Sequence, residues 1–270
     1  MVTVVLSLKT LIKFYFHNNM TIELIKSGGD HRGKILFFKS EHLKINFFEL
    51  KKNYARGGHY HDYPVTYVLI SGKIQHRTKF LDSEKEIIEE LSAPAIIKIS
   101  PNTSNLIISI NNSLFLEMFD AEYSSKLYHE YRNIVIEKNK MHNHIESNSS
   151  LNVENEFEDS RGKMFFLKFN GKNFNLIELK KNYARGGHYH KFKSEHIVLD
   201  GEIEYFENNL ETDSESKKII TNPEIIITKP YIAHMFFGLK NSYFIESFLG
   251  KYEAIFYDNY RKIVEEKMSN

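Results

Sequence analysis

The sequence contains no cysteine, so disulfides and thiolate metal sites are excluded. The absence is compatible with a reducing cytoplasm, which is the compartment we expect. The chain also has almost no net charge, because 36 Lys and Arg residues against 35 Asp and Glu residues leave +1. This balance predicts no general electrostatic attraction to nucleic acid or to a membrane surface.

Several common segments and motifs are also missing. No run reaches the roughly 18 apolar residues that a membrane-spanning helix needs. Lys9 and Lys13 interrupt the apolar start of the chain and no small-residue cleavage site follows, which favours a frayed helix or strand over a signal peptide. The chain has no Gly-rich phosphate loop, no Ser-His-Asp order and no DNA-binding motif. We therefore expect neither nucleic-acid nor membrane partners.

What the chain does contain is one sequence twice. The string ELKKNYARGGHYH ends at His61 and again at His190. Matching residues keep an offset of 129 (188 − 59, 201 − 72, 230 − 101), and no gap is needed from residue 30 to 138. We predict two copies of one domain, 20–138 and 154–270, joined by a polar linker over 139–153.

Apolar residues alternate with period two in much of each copy, as in KINFFEL and NFNLIEL, and this pattern predicts strands. The Ser71-Gly72 and Asp200-Gly201 steps lie between apolar runs and predict tight hairpin turns. Residues 123–140 and 252–268 have apolar and aromatic residues at spacings of three and four, which predicts a helix. The expected fold is all-β: two tandem barrels or sandwiches, each with a C-terminal helix.

The repeated string ends in two histidines. Residues i and i+2 of a strand face the same side, so His59 and His61 should project together, as should His188 and His190. The Gly-Gly pair before them allows backbone or ligand to approach closely. Paired imidazoles are suited to metal binding or to proton transfer near neutral pH.

The second copy carries groups that the first lacks. His234 stands where the first copy has Asn105, and Glu195 and His196 stand where it has a threonine and a tyrosine. A role common to both copies would therefore depend on the groups they share, which are Tyr54/Tyr183, Arg56/Arg185, the two His pairs and Glu117/Glu246.

Three sequence features resemble the two motifs of the cupin superfamily. Both copies contain Gly-x-His-x-His and a glycine eleven residues after the second His, and the second copy also contains a later Pro-x-x-x-His. This resemblance implies jelly-roll β-barrels. The usual cupin metal-binding Glu lies seven residues before that glycine, where this chain has Val65 and Ser194, with Glu195 one position away. On a regular strand, Ser194 and His196 would face the barrel interior and Glu195 would not.

A narrower resemblance covers most of each copy. Asp-x-Arg-Gly-Lys, Arg-Gly-x-His-x-His, Pro-x-x-x-His and a Tyr/Arg-rich terminal helix are similar to the dTDP-4-dehydro-6-deoxyhexose ketoisomerases, including WxcM-like proteins, and to the dTDP-4-dehydrorhamnose epimerases. The resemblance implies a nucleotide-linked keto sugar as substrate and no metal or other cofactor. Members of this group are usually homodimers of single barrels. This chain would then be a monomer with an intramolecular pseudo-dimer, or a homodimer.

The same resemblance implies roles for four residues of each copy. The histidines would act as acid and base, the arginines would contact the diphosphate or the enolate, and the tyrosines would be further donors. The residues concerned are His188, His190, Arg185 and Tyr183 in the second copy and His59, His61, Arg56 and Tyr54 in the first.

The leading hypothesis is therefore a sugar-nucleotide isomerase or epimerase. The first alternative is a metal-dependent bicupin that holds a divalent metal through His188, His190 and His234 with Glu195 or His196. The second alternative is a non-catalytic carbohydrate-binding protein. If only one barrel is active, we expect it to be the second.

Overall fold

The computed structural model describes residues 21–83, 85–140, 149–221, 223–248 and 251–268. These ranges contain 22 strands and two helices. The apolar start of the chain, expected to form a frayed helix or strand, lies outside them. Within the described ranges, neither helix has the length and apolar character needed to cross a membrane.

The first copy forms eleven strands followed by a helix. They are β1 (Glu23–Asp30), β2 (Gly33–Lys39), β3 (Lys44–Leu50), β4 (Ala55–Tyr60), β5 (Val65–Ser71), β6 (Lys73–Phe80), β7 (Glu86–Ser92), β8 (Ala95–Ile99), β9 (Thr103–Ser109), β10 (Ser113–Phe119), β11 (Lys126–Leu127) and α1 (His129–Lys140).

The second copy repeats this order. Its elements are β12 (Asn152–Asp159), β13 (Gly162–Phe169), β14 (Lys172–Leu179), β15 (Ala184–Tyr189), β16 (Ser194–Asp200), β17 (Ile203–Asn209), β18 (Ser214–Ile220), β19 (Glu224–Thr228), β20 (Ile232–Gly238), β21 (Ser242–Phe248), β22 (Ile255–Phe256) and α2 (Asp258–Met268).

Each copy folds into two antiparallel sheets with apolar residues of both sheets between them. The first copy has the strand orders β1-β2-β3-β10-β5-β8 and β11-β4-β9-β6-β7. If the eight strands from β3 to β10 are renumbered 1 to 8, their order is 1-8-3-6 in one sheet and 2-7-4-5 in the other. This order is the double Greek key of a jelly roll, and the second copy has it too. The predicted fold class, two tandem cupin-type barrels each with a C-terminal helix, is confirmed.

The predicted hairpin at Ser71-Gly72 is wrong. Gly72 has φ 97° and joins β5 to β6, but these two strands belong to different sheets. The turn therefore carries the chain from one sheet of the jelly roll to the other. Gly201, with φ 100°, makes the same connection between β16 and β17. Local turn residues predict a reversal of the chain but do not determine which strands then pair.

The terminal helices begin later than predicted. Residues 123–128 and 252–257 are not helical, and within them β11 pairs with β4 and β22 pairs with β15. The extended stretch places Tyr123 beside His61, with 5.6 Å between ring centroids, and Tyr252 beside His190, at 5.4 Å. The periodic apolar pattern therefore extends over both the helix and the short strand before it, and it does not show where the helix begins.

The linker between the two copies is shorter in residues than the predicted range of 139–153. The first helix extends to Lys140 and β12 begins at Asn152, so both ends of the 139–153 range belong to regular structure. Residues 141–148 lie outside the described part of the chain.

The two barrels pack against each other through their six-stranded sheets. One apolar cluster combines residues from β2, β3, β5 and β10 with residues from β13, β14, β16 and β21. Phe38 meets Phe165 edge to face at 4.9 Å, and Phe47 stacks on Phe174 at 5.9 Å. Burial of this shared apolar cluster stabilises the pairing of the barrels.

The contacts between the two barrels are reciprocal: the segment at the start of each copy hydrogen-bonds a glutamate of the other copy. Ser149 and Ser150 at the entry to the second copy hydrogen-bond the Glu49 carboxylate of the first. The backbone of Ile22, at the entry to the first copy, hydrogen-bonds Glu178 of the second. Each barrel therefore binds the entry segment of the other, as expected for two related halves about a pseudo-twofold axis.

Candidate functional site

A bulge in β15 brings two strands unusually close in the second barrel. Gly186 has φ 95°, and the pairing of β15 with β20 shifts register between Gly186 and His188. A Cβ on Gly186 would lie 2.7 Å from the His234 carbonyl oxygen. Glycine is required for this approach, which sets His188 opposite His234.

Four side chains converge inside this barrel. Candidate ligand atoms of His188, His190, His234 and Glu246 all lie within 4.8 Å of one another, and all four residues are buried. The His188 ring centroid is 4.7 Å from that of His190 and 4.8 Å from that of His234. The sequence predicted that the three histidines meet, and the carboxylate beside them is Glu246.

Backbone carbonyls determine the tautomers of two of these histidines. His190 Nδ1 donates to the Glu253 carbonyl at 2.6 Å, and His234 Nδ1 donates to the Ile232 carbonyl at 3.3 Å. Each Nε2 is then a lone-pair acceptor. His190 Nε2 is buried and has no hydrogen-bond partner among the described residues. An unpartnered buried acceptor is costly, and a bound cation would remove the cost.

The electrostatics favour neutral imidazoles around a charged carboxylate. Burial lowers the pKa of His188 to about 4, and it also lowers the pKa of His190 and of His234. Burial opposes ionisation of Glu246, but contacts with His196, His188 and Asn175 outweigh it and hold the pKa of Glu246 at about 2. Neutral His and ionised Glu are the protonation states that bind divalent metals.

The structure places Glu195 outside this cluster. Its carboxylate pairs with Lys172 at 3.1 Å and with Lys193 at 3.0 Å. The neighbouring His196 is 1% exposed and faces the interior, as period-two alternation along β16 requires. The alternative set of ligands is therefore corrected by replacing Glu195 with Glu246.

His196 lies behind the carboxylate and is not one of the four clustered residues. Its Nε2 is 3.5 Å from Glu246 Oε1, while Asn175 Nδ2 donates to Glu246 Oε2 at 3.1 Å. These two side chains orient Glu246 toward the histidines, as outer-shell groups of metal sites commonly do.

The first barrel assembles a smaller set. Ligand atoms of His59, His61 and Glu117 lie within 4.8 Å of one another. Asn105 takes the place of the third histidine, and its Nδ2 donates to the Tyr67 hydroxyl at 3.4 Å. Tyr67 in turn donates to Glu117 at 2.8 Å, and burial raises the pKa of this glutamate. The first barrel thus has a hydrogen-bonded chain of side chains where the second has a third histidine.

The predicted arginines line the two cavities. Arg56 and Arg185 each contact the aspartate of the Asp-x-Arg-Gly motif, with Nη2 3.3 Å from Asp30 and 3.4 Å from Asp159 respectively. The motif therefore has a structural role in holding these guanidinium groups at the cavity walls.

The predicted tyrosines do not line the cavities. Tyr54 and Tyr183 pack with the apolar clusters of their barrels. Tyr123 and Tyr252 line the cavities instead, and the Tyr252 hydroxyl is 3.5 Å from His188 Nε2. Sequence reasoning missed both, although the two are matched at the offset of 129 (252 − 123). That match was the available signal.

No protein-family model matches the chain, and no curated protein matches it. A mutant of Bacillus subtilis oxalate decarboxylase is similar in structure, with 12% identity and a TM-score of 0.41 over 90% of this chain and 80% of that one. Lactobacillus farciminis oxalate decarboxylase in a formate complex has 12% identity and a TM-score of 0.39, with 89% of each chain covered. Likeness at this level does not transfer an activity or a metal.

Proposed function

We propose that the second barrel binds one divalent transition metal through His188, His190, His234 and Glu246, and that the protein is a metal-dependent bicupin. The observation that carries the proposal is the convergence of three imidazoles and one carboxylate within 4.8 Å of one another, where the first barrel brings together only two imidazoles and one carboxylate. Three imidazoles and one carboxylate suit Mn, Fe, Ni or Zn. When bound, such a metal would act as a Lewis acid toward an oxygen atom of a small molecule.

The walls of the cavity around this site support a small ligand. The cavity has a volume of about 400 Å³. Phe236 and Phe244 provide apolar wall and exclude water, while Arg185 and Tyr252 provide hydrogen-bond donors. The hydroxyl of Tyr252, close to His188, is placed to donate to a ligand held at the cluster.

The metal-free isomerase hypothesis has less support. Burial lowers the pKa of both His59 and His188 to about 4. Proton transfer is most effective when the catalytic pKa lies near the operating pH, and these values are well below neutrality. A nucleotide-linked keto sugar as substrate, and carbohydrate binding without catalysis, stay predictions.

Metal analysis of the chain purified without a histidine tag tests the proposal. We expect about one equivalent of a first-row metal per chain, lost in His188→Ala because a three-ligand remnant binds far more weakly. His59→Ala, the equivalent change in the first barrel, is the matched control and should retain the metal.

Two results would contradict the proposal. One is metal-free protein that takes up no Mn, Fe, Ni or Zn in titrations. The other is equal loss of metal in His188→Ala and His59→Ala. Proton–deuterium exchange into a dTDP-keto sugar by the metal-free protein would instead support the isomerase hypothesis.

A further inference from the structure

Each barrel ends one of its sheets in an exposed strand, and the two strands occupy equivalent positions. β7 is the outermost strand of the five-stranded sheet in the first barrel and pairs with β6. β18 lies beside β17 in the same way in the second barrel. No described strand pairs with the outer side of either one. The outer backbone groups of such a strand form a template for pairing with a strand of another chain.

These two edge strands carry charges of opposite sign. β7 has the sequence EIIEELS, with three glutamates and no basic residue, whereas β18 has the sequence SESKKII, with two adjacent lysines. Glu89 is equivalent to Lys218 (218 − 129). The side chains of four central charges are between 45% and 65% exposed, and these are Glu89, Glu90, Lys217 and Lys218. Like charges on an edge normally prevent pairing of identical edges, but opposite charges favour pairing of β7 with β18.

One antiparallel register brings these charges together. Pairing that places Glu89 opposite Lys218 of a second copy also places Glu90 opposite Lys217 of that copy. Side chains directly opposite on neighbouring strands project to the same face with Cβ atoms about 4.5–5.5 Å apart, so both ion pairs can form. Pairing of β7 with a second β7 would instead bring glutamates together, which is unfavourable.

The same register covers two exposed apolar side chains. It places Ile88, which is 51% exposed, opposite Ile219, which is 59% exposed, and burial of this pair stabilises the contact. Two copies of β18 could also pair with Lys218 opposite Glu215, but that register sets Ile219 opposite Ser214. β7 is therefore the better-matched partner of β18.

Existing ion pairs beside the edges would extend the contact. Lys73 on β6 pairs with Glu90 at 2.6 Å, and Glu204 on β17 pairs with Lys217 at 3.0 Å. A carboxylate has two acceptor oxygens and an ammonium has three donors, so these pairs can persist when the edges meet. The result is a row of alternating charges across four strands. Such a network contributes more than an isolated surface ion pair.

We propose that the protein self-associates head to tail, with β7 of one chain paired antiparallel to β18 of a second copy. The contact joins two five-stranded sheets edge to edge. Because its two surfaces differ, each assembled pair still exposes one β7 and one β18, and association continues beyond a dimer unless a ring closes. Pairing of two short strands buries less surface than a standard interface, so the dissociation constant is roughly 1–100 µM. This contact is independent of the metal site inside the second barrel.

Charge reversal on each edge, followed by mixing, tests the proposal by sedimentation velocity of the full chain at about 1–200 µM. The first variant combines Glu89→Lys with Glu90→Lys, and the second combines Lys217→Glu with Lys218→Glu. We expect the wild type to assemble with increasing concentration and each variant alone to sediment as a monomer, because its two edges carry the same charge. An equimolar mixture should associate again, since β7 of the first variant then matches β18 of the second.

A control variant separates the edge contact from an effect of net charge. Glu137→Lys with Glu266→Lys changes two exposed residues of α1 and α2 and alters the net charge as much as the first variant does. This control should assemble like the wild type. If a double reversal does not fold, as judged by circular dichroism, the single changes Glu90→Lys and Lys217→Glu replace it, with a smaller but clear loss expected.

Three results would overturn the proposal. The first is a wild type that stays monomeric over the whole concentration range. The second is assembly that persists in either charge-reversed variant, as pairing of β18 with β18 would produce in the first. The third is two folded, monomeric variants that do not associate when mixed. Metal content does not enter these measurements, so failure of this contact and failure of the metal site are distinguishable.

Discussion

At the level of residues, one difference bears most directly on the histidine clusters of the two barrels. The first has Asn105 where the second has His234, and both lie on the strand that faces the histidine pair. Asn105 uses its amide to hydrogen-bond Tyr67, whereas the His234 ring joins the ligand cluster. An amide is a much weaker ligand for transition metals than an imidazole. The difference in residue type therefore predicts a difference in metal content.

Exchanging these residues should exchange the metal binding. Asn105→His should raise the metal content from about one to about two equivalents per chain, since it completes a set of three imidazoles and one carboxylate. His234→Asn should weaken the second site by roughly 100-fold or more. Elemental analysis with competition by a chelator measures both. Asn105→Gln is the control, and a gain of metal in that variant would show that the imidazole is not the cause.

The sequence predicted the histidines of the site, but it identified Glu246 only as a group shared by both copies and chose Glu195 as the metal-binding carboxylate. His188 and His190 follow from period two along one strand, which is local information. Glu246 reaches them only because β21 lies beside β16 and pairs Glu246 with His196. Glu195 is nearer in sequence but points to the other face of its strand and binds Lys172 and Lys193. Register between distant strands therefore decided which glutamate belongs to the site.

At the level of elements, the glycine bulge controls how closely the site strands approach. Gly57 and Gly186 have φ 105° and 95°, and a Cβ on either would lie within 2.7 Å of the carbonyl of the facing residue, Asn105 or His234. A side chain here would force β15 and β20 apart. Gly186 is therefore needed to position His234 as well as to form the local turn.

Gly186→Ala should reduce the free energy of unfolding by about 3 kcal/mol and weaken metal binding, because it combines backbone strain with a collision. Gly171→Ala is the control. Gly171 also has a positive φ, 77°, but no atom lies within 4 Å of its added Cβ, so about 1 kcal/mol is expected. Chemical denaturation and metal titration measure the two effects. Equal losses in both variants would show that the approach of the strands is not constrained by glycine.

The strands themselves were largely predictable, and their pairing was not. KINFFEL and NFNLIEL are strands β3 and β14, as alternation indicated. The turns at Gly72 and Gly201 connect opposite sheets and not hairpin partners. A two-residue turn depends on local backbone preferences, whereas sheet assignment depends on which faces are buried by the rest of the barrel.

At the level of the whole molecule, the packing of the two barrels shifts the pKa values of two equivalent glutamates, Glu49 and Glu178, in opposite directions. Burial opposes ionisation of Glu49, but hydrogen bonds from Ser149, Lys34 and Ser150 outweigh it and lower its pKa. At Glu178 burial dominates, and the pKa is raised despite hydrogen bonds from the Lys163 and Ile22 backbone. The entry segments therefore stabilise the two carboxylates unequally.

These shifts predict opposite pH dependences of stability. The lowered pKa of Glu49 contributes stability above its ordinary value of 4.5, and that contribution is lost as the pH falls through the folded-state pKa. The raised pKa of Glu178 contributes stability below 4.5, and that contribution is lost as the pH rises through its folded-state pKa.

Urea denaturation of Glu49→Gln and Glu178→Gln between about pH 3 and pH 6 measures these contributions. Relative to the wild type, Glu49→Gln should reduce the rise of unfolding free energy with pH, and Glu178→Gln should make that rise steeper. Parallel pH profiles for the two variants would show that the entry segments do not distinguish the carboxylates.

The sequence by itself determined the duplication, the strands and the two histidine pairs. Each follows from the local spacing of residues or from the constant offset between the two copies. The tertiary structure alone decided that Glu246 completes the histidine cluster and that Arg56 Nε lacks the partner that Arg185 Nε has. Both arginines lie within the same thirteen-residue sequence, yet their contacts differ. The physical reason is that strand register and the packing of side chains distant in sequence determine which donors and acceptors meet inside each barrel.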